Sequence, residues 1–273
     1  MSVTSVIRRF HAATLVAITC ATVGLTAASC DGTPSPGASS PAASGSVPAT
    51  PAKGDQAPGG GGLEVVESGV SMTADSRGDT MATFGVLLEN TSPDQVAFDA
   101  EIFITLLDAS GRPVSDRIEK STRVTKILRF ATPKQRTGIG QYVYVDRGRA
   151  VTSVKVEIGD SSWLPAADVR IAPLTTSGLT ATTTGGGHTV RIRFTLDNGY
   201  PVAIKRVAMA LLHDRAGAIV GGTGPEEVRA SLGDFTPGRS PGEIQSLGGP
   251  PPGVDLARTE VYVYPTPEAF RVR

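Results

Sequence analysis

The stretch ATFGVLLEN, residues 82–90, alternates in character along its length. Ala82, Phe84, Val86 and Leu88 fall on one side, and Thr83, Gly85, Leu87 and Glu89 on the other. Successive side chains of a strand point to opposite faces, so a period of two predicts a half-buried β-strand. HTVRIRFTLDN, residues 188–198, repeats the pattern more cleanly. There Val190, Ile192, Phe194 and Leu196 point inward, and Arg191, Arg193, Thr195 and Asp197 point to water. No window of a dozen residues shows a helical period, and the sequence predicts an all-β fold.

The two strands also end alike, in LLEN and TLDN, so that Asn90 and Asn198 each open a loop. Around them the halves of the chain correspond in order. Ser68-Gly69-Val70-Ser71 aligns with Ser177-Gly178-Leu179-Thr180, Asp108 and Gly111 with Asp214 and Gly217, and FATP at Phe130 with FTP at Phe235. An internal duplication accounts for this order. Two copies of about 105 residues each fit immunoglobulin-like β-sandwiches, expected over residues 63–165 and 166–273. The boundary is GDSSWLPAAD, residues 159–168, where Trp163 reads as an inter-domain packing residue or as a ligand platform.

Turn chemistry divides each copy into strands. In an Asp-x-x-Gly turn the Asp side chain accepts backbone hydrogen bonds two residues on, and Gly adopts the left-handed conformation that closes a hairpin. Strands are expected near 64–74, 80–89, 97–107, 113–118, 122–129, 139–146 and 151–158. The second set is expected near 170–183, 188–197, 203–213, 217–221, 226–232, 243–247 and 258–264.

Upstream the texture changes. Arg8 and Arg9 precede an uncharged run, residues 12–25, and then small residues, the layout of an export signal over residues 1–29. Residues 31–62 hold six Pro, eight Gly and one aliphatic side chain larger than Ala, Val47. Such a segment buries too little to offset the entropy of ordering it, and reads with Cys30 as a disordered tether. As a coil it spans roughly 30 Å. The chain has two cysteines, Cys20 inside the apolar run and Cys30 at the cleavage point.

Ala27-Ala28-Ser29-Cys30 resembles the lipobox of bacterial lipoproteins. The resemblance implies a diacylglycerol thioether on Cys30, which becomes the mature N-terminus at the extracytoplasmic face of the cell membrane. An ordinary secreted protein with one stray cysteine is the alternative. ITLLDASG resembles the FxLYD-type module, an immunoglobulin-like domain of bacterial surface lipoproteins, through Ile104, Leu106, Leu107, Asp108 and Gly111. In the second copy Met209, Leu211, Leu212, Asp214 and Gly217 take those places, with His213 inserted and both defining aromatics replaced. That resemblance implies a sandwich and an envelope location, and it carries over no catalytic residue.

Charge is balanced, with 26 Lys plus Arg against 26 Asp plus Glu, so nothing favours a nucleic-acid partner held by bulk charge. His188 follows three glycines at an expected hairpin tip. His213 beside Asp214 is either a structural residue, re-aimed by a bulge, or one edge of a metal site; these two are the weak metal candidates. TGGGHT and GGTGPEE read as turns, since no strand-to-helix phosphate loop accompanies them. Residues 233–253 read as a long Pro/Gly loop and the first choice for a contact surface. The pairs Tyr142/Tyr144 and Tyr262/Tyr264 read as core or edge packing. Lys120, Arg123, Lys126, Arg129, Lys134 and Arg136 form a basic run, either a solvated strand face or a contact for anionic envelope polymer or lipid headgroups.

The sequence thus predicts a lipid-anchored, non-enzymatic binding or structural module of the cell envelope, with no cofactor and no catalytic residue. Its expected partners are the membrane, through Cys30, and an envelope protein or anionic polymer. The alternative is a carrier for a small ligand or metal ion, using the His213–Asp214 corner or the inter-domain cleft.

Overall fold

Alternating side chains between tight turns form antiparallel sheets throughout. The computed structural model describes residues 53–56, 61–205, 207–224, 233–265 and 269. The first eight strands are β1 (Lys53–Gln56), β2 (Gly62–Ala74), β3 (Thr80–Asn90), β4 (Gln95–Leu107), β5 (Val124–Ala131), β6 (Arg136–Tyr144), β7 (Ser153–Ile158) and β8 (Ser162–Pro165). Then come β9 (Leu174–Thr184), β10 (Thr189–Asn198), β11 (Val207–His213), β12 (Ile219–Thr223), β13 (Gly238–Gln245) and β14 (Glu260–Tyr264). Among the described residues the helical elements are single 3-10 turns, and no helix is long and apolar enough to cross a membrane.

The strands make four sheets, ordered β1-β2-β3-β6, β5-β4-β7 with β8 also on β4, β13-β10-β9, and β12-β11-β14. No sheet mixes strands from before and after residue 165. One plan occurs twice. Leaving β1 and β8 aside, the first, second and fifth strands of each half form one sheet around the second. The third, fourth and sixth form the other around the third.

Equivalent residues do equivalent work in the two halves. Asn90 donates from Nδ2 to the carbonyls of Gln95 and Ala131, and its Oδ1 accepts from Ser92 N–H. Asn198 donates to the carbonyls of Val202 and Phe235, and accepts from Tyr200 N–H. Each buried amide thus ties a strand end to the loop it opens and to a more distant segment. The Asp-x-x-Gly turns also match. Asp108 accepts from Ser110 and Arg112 N–H, Asp214 from Ala218 N–H, and Gly111 and Gly217 sit at φ 76° and 93°. Asp75 closes the β2–β3 hairpin the same way, accepting from Arg77 and Asp79 N–H, with Gly78 at φ 79°.

Several expectations are corrected. Residues 113–118 form no strand; Pro113 makes one isolated bridge to Leu107, and Asp116 caps a turn at Ile118 and Glu119. The strand expected at 226–232 lies outside the described residues. The boundary stretch contains β8, on which Trp163 packs against the core of the first sandwich. The strand expected near 243–247 begins earlier: residues 238–242, read as loop, pair with β10 together with residues 243–245 as β13. GGT of GGTGPEE is strand β12. Lys53–Gln56, placed in the tether by composition, pairs with β2 as β1.

The expectation for β3 is half right. Ala82, Phe84, Val86 and Leu88 enter the first core, packed against Ile102, Ile104, Leu106 and Leu128. Burying such side chains contributes about 1.5–3 kcal/mol each. The other face of β3 is covered too: Thr83 and Leu87 are buried. The sheet β12-β11-β14 lies over it, so the four sheets stack as layers and the described strands belong to one compact unit. The outer layers keep the alternation. β10 buries Val190, Ile192, Phe194 and Leu196 in the second core.

Candidate functional site: a glycine seam and its cleft

The inner layers meet on glycine. Gly69 of β2 is paired with Gly85 of β3, and Gly85 with Gly140 of β6, so three glycines stand side by side across the sheet. A Cβ on Gly69 would collide with the Ile219 carbonyl oxygen. One on Gly85 would lie 2.5 Å from the Gly221 carbonyl oxygen, and one on Gly140 2.5 Å from Thr223 N. Alternate residues of β12 therefore sit on successive glycines of the row. Two residues advance a strand by about 6.7 Å whereas neighbouring strands lie about 4.8 Å apart, so β12 crosses the row obliquely. Glycine inside a strand marks such close backbone approach.

β12 is an edge strand, and the first sandwich satisfies its open backbone groups. Thr83 Oγ1, fully buried, donates to the Gly222 carbonyl at 2.7 Å and accepts from Gly222 N–H at 3.0 Å. Glu67 Oε1 accepts from Ile219 N–H at 2.7 Å. Leaving such groups unpaired in a dry interface costs roughly 1–3 kcal/mol each.

Tyrosines fasten the two ends. Tyr142 of β6 donates to the Gly249 carbonyl at 3.3 Å, and Thr73 Oγ1 donates to the same oxygen at 3.1 Å. In the opposite direction Tyr264 of β14 donates to the Gly138 carbonyl and accepts from Thr137 Oγ1 at 3.0 Å. Tyr262 lies over Gly138, where a Cβ would stand 2.5 Å from its ring. Three of the four paired tyrosines, Tyr142, Tyr262 and Tyr264, thus meet at one seam, while Tyr144 bonds within the first sandwich. The segment after β13 packs against the first sandwich: Asp75 bridges Gly248, and Gly249 N–H donates to the Ala74 carbonyl.

At one end the seam opens into a cleft of about 750 Å³. Ser68–Met72 of β2 and residues 152–154 form one side, and the 214–220 hairpin with residues 252–254 the other. Asp214 and Arg215 stand at its rim, and its hydroxyls come from Ser68, Ser71, Thr152 and Ser153. A smaller groove of about 360 Å³ lies by Arg136, Tyr200 and Tyr262.

Near the cleft the ends of the first sandwich are cross-tied by charge. Arg117 pairs with Asp79 at 3.2 Å and stands 5.3 Å from the centre of the Tyr144 ring, and Tyr144 donates to Asp75 at 3.3 Å. Burial pushes the Asp75 carboxyl up, but the Asp79 and Arg77 N–H groups and the Tyr144 hydroxyl outweigh it and hold the group below its usual value. The Arg117 hydrogen bond holds Asp79 low as well.

His213 is buried behind a bulge between Leu212 and His213. Its Nδ1 lies 2.9 Å from the Arg258 carbonyl. A carbonyl only accepts, so Nδ1 donates this hydrogen bond. Asp214 is engaged with its own turn. Among the described residues no three His, Cys, Asp or Glu side chains gather to hold a metal ion. His188 sits exposed at the β9–β10 hairpin tip. Along the basic run, Arg129 pairs with Asp99 at 2.8 Å, Arg136 with Glu89 at 3.0 Å, Lys134 donates to the Thr91 carbonyl, and Arg123 stacks 3.4 Å from the Phe103 ring centre. Cys30 lies outside the described residues.

The seam residues Gly69, Gly85, Gly138, Gly140 and Thr83 were not singled out by sequence reasoning. Their signal is in the strands, where glycine recurs at every second position of TGIG and fills two successive positions of IVGGT. No family model matches the chain, and no curated protein or solved structure matches it.

Proposed function

We propose that the protein is a lipoprotein anchored through Cys30 at the extracytoplasmic face of a bacterial membrane, acting as a non-catalytic binding or structural module. The observation that carries this reading is the seam. Two sandwiches welded backbone to backbone form one stiff body, which suits presenting a surface at a distance from an anchor. The order of the sequence supports it: a charged and then apolar leader, a cysteine after small residues, a Pro/Gly tether, then the sandwiches. The duplicated Asp turns, with their likeness to FxLYD-type modules, are of a piece with an envelope setting.

Mass spectrometry of the protein from its native membrane tests the anchor. The expected mass lacks residues 1–29 and carries diacylglycerol on Cys30; an unmodified, freely secreted chain refutes it. The cleft supports a second reading, a carrier for a small ligand. A thermal-shift screen with envelope sugars and Zn²⁺ or Cu²⁺ separates the two: a stabilising metal effect abolished by His213→Ala would overturn the purely structural role.

A further inference from the structure

β2 carries β3 along one edge, and on the other β1 pairs with it only around Gly62 and Glu64. A strand turns the N–H and C=O groups of alternate residues to opposite edges. Among the described residues, the groups of 66–72 that face away from β3 have no hydrogen-bond partner. This bare edge runs through the cleft, and the two faces of β2 look onto its two walls. Gly69 and Ser71 share the face turned to the 214–220 hairpin, where the Ile219 carbonyl meets Gly69. Ser68, Val70 and Met72 share the other, on the side of residues 152–154. The cleft thus has the form of a strand left out between two walls, and its five rungs from Ser68 to Met72 span about 14 Å.

A second observation points to a ligand. Ser68 and Ser71 are only 5% and 7% exposed, yet neither hydroxyl has a hydrogen-bond partner among the described residues. Both line the cleft, one from each face of the strand. Buried hydroxyls normally have partners.

We propose that the cleft binds an extended, uncharged peptide segment of a partner protein, laid on β2 as an added edge strand. Main-chain hydrogen bonds hold such a strand, and its alternate side chains are read by separate walls. One wall is Ile219, Val220, Pro252 and Val254, and the other is Val70, Met72 and Val154. Both suit apolar β-branched side chains, which themselves favour extended backbone. The charges on the lining are Asp214 and Arg215, one of each sign at the rim, so a charge in the middle of the segment finds no partner. Among the described residues no aromatic ring lines the cleft for a sugar to stack on. β1 shows that this edge of β2 accepts a strand.

The inference rests on the reading of the protein as a binding module but not on a lipid at Cys30, so its test and the mass measurement fail separately. The test is amide hydrogen exchange of the whole chain with the peptide acetyl-Thr-Val-Ser-Val-Thr-amide. At about ten times the peptide's Kd, exchange at alternate positions of 66–72 is expected to slow about tenfold, the factor mass action sets. Exchange in β3 is expected to stay as it was. The same peptide N-methylated at every amide has lost its main-chain donors and is expected not to bind. Ser68→Ala with Ser71→Ala is expected to weaken binding about tenfold and to leave the urea midpoint in place, since no bond within the chain is lost. Unchanged exchange at 66–72 up to about 5 mM peptide overturns the proposal. So does equal binding by the N-methylated peptide or by the double variant, or protection of 66–72 by maltotetraose in place of the peptide.

Discussion

Tyr264 and Tyr142 reach across the seam in opposite directions, each to a glycine carbonyl of the other sandwich. Tyr264 donates to Gly138 and Tyr142 to Gly249. Both rings are buried, so each hydroxyl has no solvent to fall back on. Tyr264→Phe is expected to lower stability by roughly 1–2 kcal/mol, the cost of a carbonyl left without its side-chain donor. Tyr142→Phe is expected to cost about 1 kcal/mol or less, because Thr73 still donates to the Gly249 carbonyl. Urea denaturation followed by far-UV circular dichroism reads this as a shift in midpoint.

The glycine row should tolerate no side chain. Gly140→Val places carbon atoms against Thr223 N, the Ala210 carbonyl and Gly222, all of them backbone, which cannot rotate aside. The expected loss is about 3 kcal/mol or more. Gly111→Ala is the contrast: nothing lies within 4 Å of its added carbon, and its φ of 76° is the only penalty, about 1 kcal/mol. Equal midpoint shifts for the two variants would contradict the seam.

The paired asparagines give an internal control. Asn90→Ala and Asn198→Ala each strip two carbonyls and one N–H of their partner, in a buried setting. Each should cost roughly 2–4 kcal/mol, and the two losses should be similar. A large loss in one and none in the other would break the structural equivalence of the halves.

Acid should loosen the β2–β3 turn. Asp75 and Asp79 titrate below the ordinary value of 3.8 in the folded chain. Their contribution is complete above that value and fades as the pH falls through the lower folded-state values. The urea midpoint should therefore drop between pH 5 and pH 2.5, and drop less in Asp75→Asn, which keeps an oxygen for the two N–H groups without the titration.

Alkali acts on the tyrosines. Burial raises the hydroxyls of Tyr144, Tyr200, Tyr262 and Tyr264, with Glu260 adding to the effect at Tyr262. The stability they confer is present below the unfolded value near 10 and is lost as pH rises above it. Tyrosinate absorbance at 295 nm should lag a free-tyrosine curve and rise together with loss of the β-sheet signal.

Much of this was legible in the residues. Val190 to Leu196 kept strict alternation because β10 lies in an outer layer, with water on one side. Asn90, Asn198 and the Asp turns were legible because their chemistry is local. β3 misled in one respect: a face of Thr83, Gly85 and Leu87 reads as exposed, yet another sheet covers it. β13 hid because Pro241 and Gly242 resemble loop residues, although edge strands admit proline. In the tether, β1 was invisible because four residues of mixed polarity have no period, and only the β2 edge orders them. The cleft could not be foreseen at all, since its walls come from four segments scattered between residues 68 and 254.

A joint made of Gly69, Gly85 and Gly140 has no rotamers. Where side chains meet, a lost methylene on one surface can be balanced by a gained one opposite, and such an interface drifts over generations while holding its shape. Backbone resting on backbone offers no such exchange. Relatives of this chain should either keep glycine at all three rungs or set their sandwiches at another angle, so these three positions alone would report which homologues share its geometry.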